Sequence, residues 1–530
     1  MKKFGDWGRM SFLVARIKKN TYKDSMQLMQ LTERAKKLKG VIDAAAVMGT
    51  ENNKELLRSI GMLPAEGEEA GPDDILFVVS ASGREEAEAA VSEMEKLILS
   101  GISAGPSYVE LEEALKMQEV NFAVVSVPGE YAKDAVLPIL ERGISVHLFS
   151  DHVSVEDEVY MKNFAQSKGL LLLGPSAGTS IIGGKGIAFS NTVERGRVGI
   201  ISASGTGLQE VSVLLTLFGE GLSQGFGVGG RDLSDSCMGI MTKSCIDLLE
   251  QDEKTQVICI VSKPAGKEAL KSLLEYIRER TRKHYVLCLL GSDDLKLNDG
   301  RIVQAHSLHA SAKLSLKALG KSSRYGTPVE ELIAKAAELR SKVSEKRRFL
   351  RGLFSGGTLA YEAMLILQDG LGRIYSNTPL RREDRLKNSF ISFENTIVDM
   401  GEEEFTEGRL HPMIDPTVRG LRLKNEMNDS SVAVAMVDVM LGYGSYSDPA
   451  GAIAEVIEHA GDKNNLPAVV AHVCGTENDP QRLSTQAEKL RSHGVETFLT
   501  NAEMSFVVAQ ALNGNDKAVA SRLASRYLLE

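Results

Sequence analysis

Short apolar runs alternate with longer amphipathic stretches along most of this chain. That is the pattern of strands buried on both faces with helices laid across them. Near the start, Ser11 to Ile17, Val41 to Val47 and Asp74 to Val79 read as strands. Ser25 to Lys39 carries Met26, Leu28, Met29, Leu31, Ala35 and Leu38 at helical spacing, and Ala87 to Ser100 predicts a helix with a charged face. Residues 1–105 are therefore expected to form a small α+β domain, with an acidic surface loop at Ala65 to Pro72.

Beyond that point strands and helices alternate strictly. Phe122 to Val127, Ser145 to Phe149 and Leu170 to Leu173 read as parallel strands, separated by helices over Ala132 to Arg142 and Val155 to Lys168. They predict a Rossmann-type unit over 106–195. Ligands on such sheets bind past the carboxyl ends of the strands. Here those ends carry Ser126, Asp151 and the run Gly174-Pro175-Ser176-Ala177-Gly178-Thr179. A second α/β unit is expected over 196–320, from the strands Val198 to Ile201, Gln256 to Val261, His284 to Leu290 and Arg301 to Ala305. Residues 321–345 are charged and read as a helical linker. A third unit spans 346–530, with strands at Phe349 to Phe354, Thr396 to Met400, Val432 to Leu441, Ala468 to Val473 and Glu496 to Leu499. The fold class is thus α/β, several doubly wound parallel sheets following a small α+β domain.

Three glycine-rich turns follow apolar strands and are expected to open helices: Ser204-Gly205-Thr206-Gly207, Ser355-Gly356-Gly357-Thr358 and Gly442-Tyr443-Gly444-Ser445. A helix start offers unpaired N–H groups and the positive end of a dipole, and glycine lets a ligand approach the backbone. The turns predict binding of phosphate or carboxylate; the plain alternative is that they only connect strands to helices. The first two also share a faint repeat, with Glu210 four residues after Thr206 and Glu362 four after Thr358.

Composition narrows the function. With 530 residues, the chain is too long for one core and fits roughly three or four domains. A net charge of −9 argues against a nucleic-acid partner. No apolar run is long enough to span a membrane, and the first residues lack a signal peptide's apolar stretch, so the expectation is a cytoplasmic protein. The five cysteines have no paired spacing, and no HExxH, CxxC or Walker pattern occurs, so neither a metal site nor a Walker nucleotide site is expected.

Other candidates lie outside the turns. In His411-Pro412-Met413-Ile414-Asp415-Pro416, prolines stiffen a loop that holds a histidine and an aspartate. His411 can act as general acid or base with Asp415 orienting it, or both can simply cap turns. Arg231 offers a planar fork for an oxyanion, positioned by Asp232 or else paired with it internally. Lys263, just past a strand end, supplies a second positive charge. His306 and His309 read as surface or capping histidines, and His147 as a buried core residue.

Together the motifs Phe149-Ser-Asp-His-Val-Ser-Val-Glu-Asp-Glu, Gly174-Pro-Ser-Ala-Gly-Thr-Ser, Ser202-Ala-Ser-Gly-Thr-Gly-Leu-Gln-Glu, Gly229-Gly-Arg-Asp-Leu-Ser and His411-Pro-Met-Ile-Asp-Pro-Thr resemble the FdrA family, within the succinyl-CoA synthetase superfamily. The resemblance implies a CoA-binding-type Rossmann domain and two flavodoxin-like ligase domains. It implies that the Ser204-Gly205-Thr206 turn aims a helix at a phosphoryl group, and that Glu210 matches a glutamate that steadies a phosphohistidine. The loop that would hold that histidine is here Gly291 to Gly300, with none, and His309 falls after the following strand. An ATP-grasp domain and the usual glycine-rich first turn of a CoA-type domain are missing too, so phosphate is expected as substrate and CoA is not assigned. The resemblance implies a subunit of a multi-subunit carbamoyl or acyl transferase. Its reaction would interconvert oxalurate plus phosphate with oxamate plus carbamoyl phosphate, in purine and allantoin nitrogen metabolism. The alternatives are an acyl-CoA synthetase subunit served by a separate ATP-grasp chain, and a noncatalytic assembly subunit. Small anionic substrates, partner subunits and an oligomer are expected.

Overall fold

A computed structural model describes the chain except residues 1–11, 22, 24, 60, 100–110, 118, 281, 296, 298–299, 322–325, 408 and 461–465. Its contacts divide it into two compact units, residues 1–117 with 402–421, and residues 118–401 with 422–530.

The smaller unit contains β1 (Phe12–Lys18), α1 (Ser25–Lys36), β2 (Val41–Met48), α2 (Glu51–Ser59), β3 (Ile75–Ala81), α3 (Arg84–Leu99) and α4 (Leu111–Met117). Its antiparallel sheet runs β1-β3-β2. β3 runs apolar from Ile75 to Val79 because it is buried on both sides. Ile75, Phe77 and Val79 pack with Leu28 and Leu31 of α1 and Val91 of α3, while Leu76 and Val78 pack with Leu57 of α2. Residues 402–421 fall within the span expected for the last α/β unit, yet they belong here. The Arg409 guanidinium donates to Asn53 Oδ1 at 2.8 Å and to the Asn52 carbonyl, anchoring that segment to α2.

The larger unit begins with a parallel three-stranded sheet, β4 (Phe122–Val125), β5 (Ser145–Leu148) and β6 (Leu172–Leu173), crossed by α5 (Gly129–Glu141) and α6 (Val155–Ser167). A hairpin of β7 (Thr179–Ile182) and β8 (Lys185–Ala188) leaves this sheet and joins the edge of the next. That seven-stranded sheet adds β9 (Arg195–Ser202), β10 (Leu222–Gly227), β11 (Val257–Ser262), β12 (His284–Leu289) and β13 (Ile302–Gln304), in the order β13-β12-β11-β9-β10-β7-β8. Its helices are α7 (Gly205–Leu217), α8 (Ile240–Gln251), α9 (Lys267–Arg280) and α10 (Leu308–Ala318). The expected linker contains α11 (Val329–Ser341), whose Leu332 and Ala336 are buried.

The last sheet is wholly parallel, in the order β15-β16-β14-β17-β18-β19. Its strands are β14 (Phe349–Phe354), β15 (Tyr375–Ser376), β16 (Thr396–Asp399), β17 (Val432–Met440), β18 (Ala468–Cys474) and β19 (Glu496–Phe498). Its helices are α12 (Gly357–Leu371), α14 (Thr417–Asn428), α15 (Pro449–Glu458), α16 (Leu483–Ser492), α17 (Asn501–Leu512) and α18 (Lys517–Leu523), with the short α13 (Glu403–Thr406) in the segment already assigned to the smaller unit. Helices α7 and α12 are apolar nearly all round because each is enclosed, and they pack on one another. The two halves of the suggested repeat therefore meet through equivalent helices.

Candidate functional site

The amino ends of α7 and α12 face each other. Ser204 Oγ hydrogen-bonds Thr358 Oγ1, and Thr358 N donates to Thr206 Oγ1 at 3.4 Å. The first two glycine turns, 152 residues apart, thus form one site. Glycine at 356 eases this approach, since a methyl there would lie 3.0 Å from Asp438 Oδ2 and 3.1 Å from Thr206 Cγ2.

The two turns differ in what they have left to offer. In the α7 turn, Ser204 caps the helix by accepting from Gly207 N at 2.9 Å, which removes Gly207 from the expected ligand set. The backbone N–H groups of Gly205 and Thr206 have no hydrogen-bond partner among the described residues. Beside them lies Thr179, fully buried, with an Oγ1 that has no partner either; a methyl on Gly205 would sit 3.3 Å from it. Thr179, expected at the Rossmann-type site, instead reaches the α7 turn because β7 crosses to the second sheet.

In the α12 turn the two backbone donors that precede the helix are taken. Asp438 Oδ1 accepts from Ser355 N at 2.7 Å, Asp438 Oδ2 accepts from Gly356 N at 2.7 Å, and Ser355 Oγ lies 3.0 Å from both oxygens. Ser355 and Gly356 are thus held by a carboxylate of the protein itself. Gly357 lies against Asp399, and a methyl on it would be 3.4 Å from Lys263 Nζ. The half-buried Lys263 ammonium stands 6.0 Å from the Tyr361 ring centroid and forms no ion pair with a described carboxylate. Burial pushes the Tyr361 hydroxyl up to about 12.

Beneath the turns lies a buried charged layer. Glu210 points into the core, where its Oε2 is 2.7 Å from His472 Nε2 on β18, while His472 Nδ1 is 3.3 Å from the Phe498 carbonyl. Burial opposes the charge on His472, but the Glu210 carboxylate outweighs it and raises the imidazole pKa. Cys474 completes a group of three possible metal ligands within 4.8 Å. The Glu210–His472 contact is that of an ion pair, however, shorter than the about 3.3 Å that two tetrahedral zinc ligands keep. The repeat-related Glu362 accepts from Leu308 N at 2.6 Å and Asn501 Nδ2 at 2.7 Å, and burial pushes its pKa up to about 7.

The third turn does not open a helix. Gly442 exchanges hydrogen bonds with the Gln481 side chain, Tyr443 bridges to Ser190, and Gly444 packs on Phe189. The next helix, α15, is capped by Asp448 accepting from Gly451 N, and Asp448 is paired with Lys489. Gly442 and Gly444 are thus corrected from a phosphate cradle to a packing turn.

Arg231 also departs from expectation. Its Nε donates to Glu158 Oε2 at 2.8 Å and its terminal nitrogen to the Val153 carbonyl at 2.7 Å. Asp232 does not position it. Fully buried, Asp232 pairs with Lys162 at 2.8 Å and accepts from Thr242 N and Oγ1. Arg231–Glu158–Lys162–Asp232 is a network tying α6 to the loop after β10.

At the Rossmann-type strand ends, Ser176 Oγ donates to Asp151 Oδ1 at 2.7 Å and Val127 N to Ser150 Oγ at 2.9 Å, so that Ser126, Asp151 and the Gly174-Pro175 turn lie together. His411 and Asp415 lie in the smaller unit, where His411 Nδ1 accepts from Met413 N at 3.2 Å and Asp415 Oδ1 from Thr417 N at 3.0 Å. His309 is not a surface residue. It is enclosed beside Thr500 and Phe218, and burial pushes its pKa down to about 3. His147 is buried as expected, with Nε2 2.7 Å from the Ala177 carbonyl.

Sequence reasoning missed Asp438 and His472. Each is a lone ionisable residue in an otherwise apolar strand, Val432–Met440 and Ala468–Cys474, and that isolation was the available signal.

Two α/β sheets meet through paired glycine turns, and residues 353–509 match the CoA-ligase family model. Residues 10–108 match a second family, described as AllF, heavy metal-associated domain; the sequence has no cysteine before Cys237. The chain is 38% identical over 490 residues to the uncharacterized protein YahF of Escherichia coli (strain K12), covering 90% of this chain and 94% of that one. It therefore belongs to the FdrA family, whose members are acyl-CoA synthetase-like. It is also 30% identical over 257 residues to succinate–CoA ligase [ADP-forming] subunit alpha 2 of Archaeoglobus fulgidus, covering 45% of this chain and 87% of that one. The corresponding subunit alpha of Aquifex aeolicus is 27% identical over 268 residues, covering 46% and 84%. No helix among the described residues is long and apolar enough to cross a membrane.

Proposed function

We propose that this chain is a subunit that transfers a carbamoyl or related acyl group to or from inorganic phosphate bound at the α7 turn. The reading rests on one observation. The open N–H groups of Gly205 and Thr206, the unpartnered Thr179 hydroxyl and the Lys263 ammonium gather near the meeting point of two helix amino ends. Oriented N–H groups and a half-buried cation favour a compact dianion, and donors preset on a developing oxyanion lower a barrier by roughly 3 kcal/mol each. With oxalurate as substrate, a phosphate oxygen attacks the carbamoyl carbon, the carbon–nitrogen bond to oxamate breaks, and the departing nitrogen takes a proton. The products are oxamate and carbamoyl phosphate. Neither a phosphohistidine nor a nucleotide enters this step.

A second reading has its own support. The match to CoA-ligase and to succinate–CoA ligase alpha subunits favours an acyl-CoA synthetase-like step, with CoA, and with ATP handled by a separate chain. The test is a phosphate-dependent substrate screen that includes oxalurate, run on the protein purified with its co-expressed neighbours, with CoA and ATP varied separately. Phosphate-dependent loss of oxalurate without CoA or ATP supports the first reading. Turnover that requires both supports the second.

A further inference from the structure

The smaller unit matches a family described as a heavy metal-associated domain, and its donor set can be compared with what such an ion needs. Soft and borderline metal ions select thiolate, thioether and imidazole ligands. The sequence has no cysteine before Cys237 and no histidine before His147, so residues 10–108 contain neither. The buried thioethers do not converge: Met48 and Met94 lie in the core on one face of the sheet, and Met62 lies in the core on the other. Carboxylates are matched to cations, Asp74 to Lys19, Glu95 to Arg16, and both Glu51 and Glu68 to Arg58. Among the described residues of this unit, no three His, Cys, Asp or Glu side chains bring their ligand atoms together. Its one imidazole, His411, arrives with the 402–421 segment, and Nδ1 of that ring accepts from Met413 N. These residues do not fit a heavy metal ion.

They do fit a planar organic cation. Asn53, in the first turn of α2, is 1% exposed. Its Nδ2 donates to the Met48 carbonyl at 2.8 Å, which fixes the amide so that Oδ1 faces Arg409 and accepts from its Nε at 2.8 Å. A terminal nitrogen of the same guanidinium donates to the Asn52 carbonyl. Two acceptors on adjacent residues thus meet the donor fork that distinguishes arginine from lysine. Asn52 Nδ2 adds a longer tie, 3.4 Å from Glu407 Oε2. Burial works against the Arg409 charge, and the Asp415 and Glu55 carboxylates act in the opposite sense. We infer that the smaller unit is built to hold a guanidinium, supplied by Arg409 of the same chain, in place of a heavy metal ion. Asn52 and Asn53 form the receptor, and the 402–421 segment carries the occupant. Arg409 precedes His411 by two residues, so the site also fixes the chain at the entrance to the proline-stiffened loop from His411 to Pro416. The inference stands apart from the phosphate reading of the α7 turn.

Two measurements on the full chain test this. Crystals soaked in zinc or copper salts should show no anomalous density held by three or more protein ligands within residues 12–99. Hydrogen exchange reads the guanidinium site. Having lost its charge-assisted hydrogen bonds to Asn52 and Asn53, Arg409→Ala should exchange about tenfold faster or more across residues 402–421, with β9 and β14 unchanged. Ethylguanidinium at a concentration too low to denature should restore much of that protection, because it refills the fork, and ethylammonium at the same concentration should not. Arg409→Lys serves if the alanine variant folds poorly. It keeps the charge and the stem but lacks the fork, so its 402–421 segment should also exchange faster. A metal held by three or more protein ligands within residues 12–99, unchanged exchange in both variants, or rescue by ethylguanidinium no better than by ethylammonium would overturn the inference.

Discussion

Replacing His472 by Gln tests whether the buried ion pair holds the two halves of the larger unit together. His472 on β18 and Glu210 on α7 are 0% and 1% exposed, His472 Nε2 lies 2.7 Å from Glu210 Oε2, and Glu210 Oε1 has no hydrogen-bond partner. Gln keeps a donor of similar reach but removes the cation, so the Glu210 carboxylate is left buried and uncompensated. Breaking one side of such a pair costs about 3–5 kcal/mol. The larger unit has about 390 residues, and unfolding entropy near 2.1 cal/mol/K per residue gives about 0.8 kcal/mol/K. The expected fall in apparent melting temperature is therefore about 4–6 °C. Calorimetry at fixed scan rate reads it, and the double variant with Glu210→Gln should recover part of the loss, because two neutral amides leave no orphan charge. The pH dependence has a definite sign. With its folded pKa raised, His472 contributes stability that is fully present below about pH 6.5, and that is lost as pH rises through the folded value. His472→Gln should lack that portion of the slope. A melting temperature within 1 °C (about 0.8 kcal/mol) of wild type at pH 6 would refute the account.

Glu362→Gln should flatten the stability profile between pH 4.5 and about 7, where ionising a carboxyl raised to about 7 costs about 3 kcal/mol, as read by melting temperature across that range. Lys263→Ala should weaken phosphate binding about tenfold, with melting unchanged within a degree or so, since the ammonium holds no ion pair with a described carboxylate; unaltered binding would remove Lys263 from the site. Gly205→Ala should weaken phosphate binding by crowding the N–H groups beside Thr179, while circular dichroism stays that of wild type. Arg231→Ala should lower melting by loosening the Glu158–Lys162–Asp232 network yet leave phosphate affinity intact; lost affinity would make Arg231 a ligand.

Local pattern determined much of this protein. Buried strands such as Val257–Ser262 and Val432–Met440 declare themselves because a strand covered on both faces must be apolar throughout. The turns at Ser204 and Ser355 were legible because only glycine and small hydroxyl residues suit a strand that turns at once into a helix. The repeat of Thr206 and Glu210 in Thr358 and Glu362 was visible as spacing. Tertiary structure alone decided what each polar group faces. The Ser355 turn looks as open as the Ser204 turn until β17 delivers Asp438 from 83 residues away. Glu210 matches, by resemblance, a glutamate that steadies a phosphohistidine until β18 brings His472 from 262 residues away, and Arg231 reads as an oxyanion fork until α6 presents Glu158. The His411 segment reads as a loop of the last α/β unit until Arg409 anchors it to Asn53. Hydrophobic period and turn chemistry act over a few residues, so the chain displays them, whereas the partner of a buried charge is set by which strands become neighbours, and no local spacing encodes that.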